Sequence, residues 1–149
     1  MGVKWIDLPP VWMVGFIGLA WVQATYFPWD VFGPWADPMG VMIALSGIAL
    51  WVLAIMEMRR FRTTVNPHGQ PDALVTTGIF SMTRNPIYLG DILMLLGAIL
   101  WLDAVPSVLL LPIFGYVLVW RFIRPEENRL QAAFPEEFDA YALKVGRWF

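Results

Sequence analysis

The chain contains no cysteine, one histidine and few charged residues. The first absence excludes disulfides, thiolate nucleophiles and cysteine-ligated metals. The single histidine, His68, cannot build a histidine-rich metal centre within one chain, so no metal site is expected. Charged residues make up 15% of the sequence, where a soluble domain carries about 25%. The cations form no stripe of the kind that binds nucleic acid, so nucleic acid is not an expected partner. Internal repeats and low-complexity tracts are also missing.

What fills the chain instead is apolar. Of 149 residues, 58% are hydrophobic and nine are tryptophan, and the mean hydropathy is +0.60. Tryptophan favours the interfaces of a bilayer. Four apolar runs, at 11–27, 39–58, 87–102 and 105–123, approach the roughly 20 residues of a spanning helix. The first run could be a signal peptide, but its charged lead is weak and no small-x-small cleavage site follows. A permanent helix is expected there, preceded by an interfacial lead-in with Lys4 and Trp5. Pro112 predicts a kink in the fourth run. With the N-terminus inside, all ten Lys and Arg fall on the cytoplasmic side, while the two outer turns carry only Asp30, Asp37 and Asp103.

The expectation is an all-α integral membrane protein with one domain, 1–149. It would have four transmembrane helices surrounded by membrane lipids, a cytoplasmic connector at 59–86 and an amphipathic C-terminal helical tail at 124–149, with both termini cytoplasmic. In the tail, Pro125 and Pro135 each mark a helix start followed by two glutamates. Leu130, Phe134, Phe138, Tyr141, Val145 and Trp148 recur at steps of three or four and form one apolar stripe.

Polar chemistry therefore gathers at one face, around residues 83–91. Pro86 suits a first helical turn, and Asn85 before it is a good N-cap. A helix starting there turns its free N–H groups and positive dipole end toward the connector, where they attract carboxylate or phosphate. Arg84 adds a cation that can grip a carboxylate with two bonds. Tyr88 offers an aromatic face and Gly90 a place for close backbone approach. The combination suits a ligand that is anionic at one end and flat or apolar at the other.

The run from Leu74 to Gly90, with Gly78, Phe80, Arg84-Asn85-Pro86 and Tyr88 inside it, resembles the signature of the integral-membrane methyltransferases. These include the isoprenylcysteine carboxyl methyltransferases and the phospholipid N-methyltransferases. The series Glu126-Glu127, Leu130, Phe134, Tyr141 and Arg147-Trp148 is similar to the second block of that superfamily. The resemblance covers roughly residues 59–149. It implies S-adenosyl-L-methionine as methyl donor, bound at the cytoplasmic face of a bacterial or archaeal inner membrane. It also implies a lipophilic acceptor: a prenyl-like carboxylate, a lipid amine or a small apolar thiol. By this resemblance Arg84, Asn85 and Pro86 suit the donor's carboxylate, and Glu126 or Glu127 its ammonium or ribose. Tyr88 and Phe80 would cover adenine, with Gly78 and Gly90 in the donor site. His68 would hydrogen-bond the donor or take a proton from the acceptor. Arg84, Glu127 and His68 are thus expected to carry the chemistry. Asn85 stands where prenylcysteine enzymes often carry histidine, Phe134-Pro135 replaces Phe-Gly and Phe138 replaces a tyrosine, so the acceptor and the oligomeric state stay open.

Each residue also has a plainer use. Arg84 could be a positive-inside anchor, Glu126 and Glu127 helix-dipole charges, and His68 a solvated loop residue. Glu57 is expected to pair with Arg59 or Arg60. Asp91, about one turn into the third span, should face the bundle or the pocket and not lipid. The alternative function is a small four-helix carrier or exporter without enzymatic activity. Such a carrier needs an acidic residue deep in a span, and the spans are acid-free at mid-depth.

Overall fold

In the computed structural model, which describes residues 6–149, every regular element is helical. The expected lead-in at Lys4 and Trp5 lies outside the described residues. The long elements are α1 (Pro9–Tyr26), α2 (Ala36–Arg60), α3 (Pro86–Trp101), α4 (Leu110–Leu118), α5 (Arg124–Ala133) and α6 (Pro135–Lys144). Short 3₁₀ turns occupy Gly78–Ser81 and Val105–Leu109. Two helical stretches are long and apolar enough to cross a membrane: α2, and the continuous run Val105–Ala133. The third apolar helix, α3, is shorter at 16 residues.

The outer surface is apolar too. On α2 the side chains of Val41, Met42, Leu45, Ile48, Val52 and Met56 are exposed, as are Val14, Leu19 and Trp21 on α1. Water-facing surfaces seldom carry apolar faces of this extent, whereas a bilayer accepts them.

α3 is the central helix. On one side it packs against α2 through small residues. A Cβ added at Gly97 would stand 2.5 Å from the Gly40 carbonyl oxygen, and one added at Gly47 would stand 2.6 Å from that of Gly90. Small residues let the two backbones approach this closely, which apolar side chains in lipid would not drive by themselves. On the other side α3 meets α1 and α4, where Leu95, Ile99, Phe114, Leu118, Phe122 and Ile123 form the core. Phe16 and Phe114 pack with ring centroids 4.9 Å apart. At the far turn, Asp103 accepts the backbone N–H groups of Val31 (2.9 Å) and Phe32 (3.2 Å) and ties the α1–α2 loop to the end of α3.

Pro112 lies where the 3₁₀ turn Val105–Leu109 passes into α4, near the start of the continuous run Val105–Ala133. One expectation about proline is corrected, that for Pro125. Pro125 does not open a separate helix. A π turn at Val119–Ile123 carries α4 into α5, with the Arg124 N–H bonded to the Val119 carbonyl. The wider turn relieves the clash that a proline ring makes with the carbonyl four residues back. Pro135 does start α6, as its position predicts.

The α2–α3 contact makes a direct prediction. Gly97→Val should destabilise the protein by about 1–3 kcal/mol or more, because backbone atoms and not flexible side chains meet the new group. Gly115→Ala is the control, since its nearest neighbour would be Ile92 Cδ1 at 4.0 Å. Thermal unfolding in detergent should separate the two variants, and equal melting temperatures would contradict the packing.

Candidate functional site

Segment 80–86 and the tail are sewn together. The Arg84 N–H donates to the Gly146 carbonyl at 3.1 Å. Asn85 Nδ2 and Thr83 Oγ1 donate to the Arg147 carbonyl at 2.9 and 3.3 Å. The Tyr141 hydroxyl donates to the Phe80 carbonyl at 2.6 Å. Asn85 is therefore an N-cap by backbone angle only (φ −131°), because its side chain holds the tail instead of the helix N–H groups. Trp148 packs against the core, and Phe138 and Tyr141 are buried.

At the centre is Glu127. Arg147 grips its carboxylate with two bonds, at 3.1 and 2.7 Å, and Arg84 Nη1 approaches it at 3.3 Å. These bonds hold the Arg147 guanidinium above its ordinary pKa. Arg84 lies 5.9 Å from the Phe138 ring centroid, and its Nε is buried without a partner among the described residues. Glu126 points elsewhere and accepts the Tyr88 hydroxyl at 2.7 Å. Burial pushes the Glu126 carboxyl above the ordinary carboxylate range, against the pull of the Tyr88 bond and of Arg129. Arg129 itself donates to the Pro67 carbonyl.

Two cavities flank this network. A narrow cleft of about 60 Å³ lies under the tail, where Glu127 and Arg129 stand among a largely apolar wall that includes Leu130, Phe138 and Tyr141. An apolar chamber of about 650 Å³ lies between the start of α1, the end of α2 and the start of α3, walled by Pro9, Trp51, Ile55, Ile87 and Tyr88. Phe80, Arg84, Asn85 and Glu126 line both. Of the other expected site residues, Glu127 lines the cleft, and His68, Pro86 and Tyr88 line the chamber. The His68 Nε2 is 2.7 Å from the Asp7 carbonyl, and the Asp7 carboxylate is held by Arg121 at 3.0 and 2.9 Å.

Gly78 and Gly90 line neither cavity. Gly78 adopts φ +58° beside Glu57, and Gly90 supports the α2 contact. Glu57 pairs with Arg60 at 3.7 Å, as expected, and also accepts the Thr77 hydroxyl. Among the wall residues that escaped the sequence reading are Trp51, Ile55 and Met58 on α2. Their spacing of four and three on one helical face was the available signal.

The phospholipid methyltransferase family model matches residues 36–137, which contain both the Arg84–Gly90 stretch and the Glu126-Glu127 pair. The chain belongs to this family. Among curated proteins it is similar to the cobalt-zinc-cadmium resistance protein CzcN of Cupriavidus metallidurans, at 27% identity over 127 residues. That match covers 81% of this chain and 53% of the relative, so the chain spans about half the relative's length. No solved structure matches.

Glu126 generates a pH prediction. A carboxyl whose folded pKa is raised stabilises the fold most below its unfolded value, and that stability is lost as pH rises through the folded value. Glu126→Gln removes this titration and keeps an oxygen for Tyr88. Its melting temperature should match that of wild type near pH 4 and exceed it near pH 7.5. A difference independent of pH would show that Glu126 is not the source.

Proposed function

We propose that the protein transfers a methyl group from S-adenosyl-L-methionine to a lipophilic acceptor, at the cytoplasmic face of a membrane that it crosses four times. The observation that carries this reading is the common wall of Phe80, Arg84, Asn85 and Glu126 between a narrow cleft that holds Glu127 and Arg129 and a wider apolar chamber. A water-soluble donor in one and a lipophilic acceptor in the other would meet across it. Methyl transfer by direct displacement asks for that alignment and for exclusion of water.

The donor, when bound, supplies an electrophilic methyl group on a sulfonium. The residues present fit it. Arg84 and Arg147 share the single carboxylate of Glu127, which leaves one positive charge over, and Arg84 Nε has no partner among the described residues. That surplus suits the donor's carboxylate. Glu126 suits its ammonium or ribose hydroxyls. The cleft, at about 60 Å³, is below the roughly 300–1,000 Å³ of small-molecule sites. Donor entry therefore requires the tail to lift from segment 80–86, and its return closes the site to water. The chamber, at about 650 Å³, is within the range of a ligand site as it stands. His68, at its rim, is placed to hold or accept a proton from the acceptor.

The relative is named for metal resistance, and a second reading would be a carrier or exporter. A carrier needs a polar path through the bundle, whereas both cavities lie at one end of it.

Titration with S-adenosyl-L-methionine in detergent tests the donor site. Arg84→Ala should weaken binding by about 2 kcal/mol or more, roughly thirtyfold, through loss of a charge-assisted pair. Arg84→Lys should recover only part, because lysine cannot reproduce a two-point grip. Unchanged affinity in Arg84→Ala would place the carboxylate elsewhere. Topology is tested separately, and the absence of native cysteine makes single-cysteine variants clean. In intact cells a membrane-impermeant thiol reagent should label Asp30→Cys and leave Thr64→Cys unlabelled. Labelling of the second would contradict four crossings with a cytoplasmic connector.

A further inference from the structure

Asp91 is the polar group that the site described above leaves unused. It is fully buried on α3, and neither carboxylate oxygen has a hydrogen-bond partner among the described residues. At 3.6 residues per turn it projects between Ile87 and Tyr88, one turn deeper. Those two residues line the apolar chamber, together with Trp51. The Trp51 indole lies against the neighbouring Gly90, where an added Cβ would stand 2.8 Å from its Cδ1. Its N–H donates to the Ile87 carbonyl at 3.0 Å and is also a favourable polar neighbour of the Asp91 carboxylate, though it makes no hydrogen bond to it. The floor of the chamber on this side is thus one indole and one helical turn, with an unpaired carboxylate directly beneath.

No cation faces it from the packed helices. α1 and α4 carry no charged residue, and the charges of α2 lie at its two ends. Burying a carboxylate without a partner weakens a fold, and an apolar residue of similar size would not. The next residues along this face, Leu95 and Ile99, are buried in the ordinary apolar way. A local choice that opposes stability and has no packing return points to use by a ligand.

We propose that Asp91 is a specificity-determining residue of the acceptor chamber. With Trp51 turned aside, its carboxylate receives a hydrogen-bond-donating group of the acceptor, N–H or O–H, uncharged or cationic. A carboxylate-headed acceptor meets like charge there and is disfavoured. This inference rests on the methyl-transfer reading for the meaning of the chamber, but its test does not need turnover.

The test uses the full chain in nonionic detergent, with dodecylamine and dodecanoate as matched probes. Asp91→Asn and Asp91→Leu should both unfold at a higher temperature than wild type without ligand. Dodecylamine should raise the wild-type melting temperature more than dodecanoate does. Asp91→Leu should lose that preference, with about a tenfold weaker apparent affinity for the amine. Titration with S-adenosyl-L-methionine should give the same donor affinity in all three proteins. Two results would overturn the proposal: lower melting temperatures in both variants, which would make Asp91 structural, or an amine preference that survives in Asp91→Leu. A wild type that prefers the amine but binds no S-adenosyl-L-methionine would support the role of Asp91 and sink the methyl-transfer reading alone.

Discussion

Glu127 holds two arginines from distant parts of the chain, Arg84 ahead of α3 and Arg147 at the end of the tail. Removing it would leave two partly buried cations facing each other, which costs far more than the loss of an exposed ion pair. The backbone bonds from Arg84 to Gly146 and from Asn85 to Arg147 lie beside this charge cluster. Residues 82–85 have no regular structure, and α3 begins without a side-chain cap. The tail supplies the missing polar partners, so the start of α3, and with it the wall between cleft and chamber, depends on that one carboxylate.

The space that the wall divides has a geometric origin. Gly40 at the start of α2 meets Gly97 near the end of α3, and Gly47 meets Gly90 near its beginning. The Trp51 bond to Ile87 marks the level at which α3 starts. α2 has 25 residues and α3 has 16, so residues 52–60 run on past α3. At 1.5 Å per residue the overhang is about 13 Å. Ile55 and Met58 on it face the chamber, and the connector and tail fold over the depression that remains. A short central helix beside a long one thus makes a pocket at one end of the bundle without any helix having to bend.

Much of this was legible in residue order. The helix start at Pro86, the cation before it, the paired glutamates and the apolar stripe of the tail all follow from local rules of capping, charge and period, and the structure brings them together. What those rules could not show was how partners are distributed. Asn85 had the right chemistry for a cap, yet a tail carbonyl more than sixty residues away holds its side chain. Gly78 and Gly90 stand in the stretch that resembles the family signature, yet line neither cavity and instead permit contacts with Glu57 and α2. Pro125 looked like a helix start because the π turn that absorbs it has no composition of its own. Pairing at long range and the fine pitch of a helix depend on tertiary packing, and single-chain periodicity does not encode them.

Three carboxylates describe the polarity of the site from the cleft to beneath the chamber. Glu127, under the tail, has two guanidinium partners. Glu126, in the shared wall, has one phenolic hydroxyl. Asp91, under the chamber floor, has no partner among the described residues. Compensation therefore falls as water is left behind, although the need for it rises with burial. Stability alone would favour the opposite order, with the deepest carboxylate best paired or replaced by an apolar residue. The order does suit a site with a charged, water-soluble ligand at one end and an amphiphile at the other. At the wet end two guanidiniums share one carboxylate, which leaves one cation in surplus, while at the dry end a single carboxylate is left without a hydrogen-bond partner among the described residues.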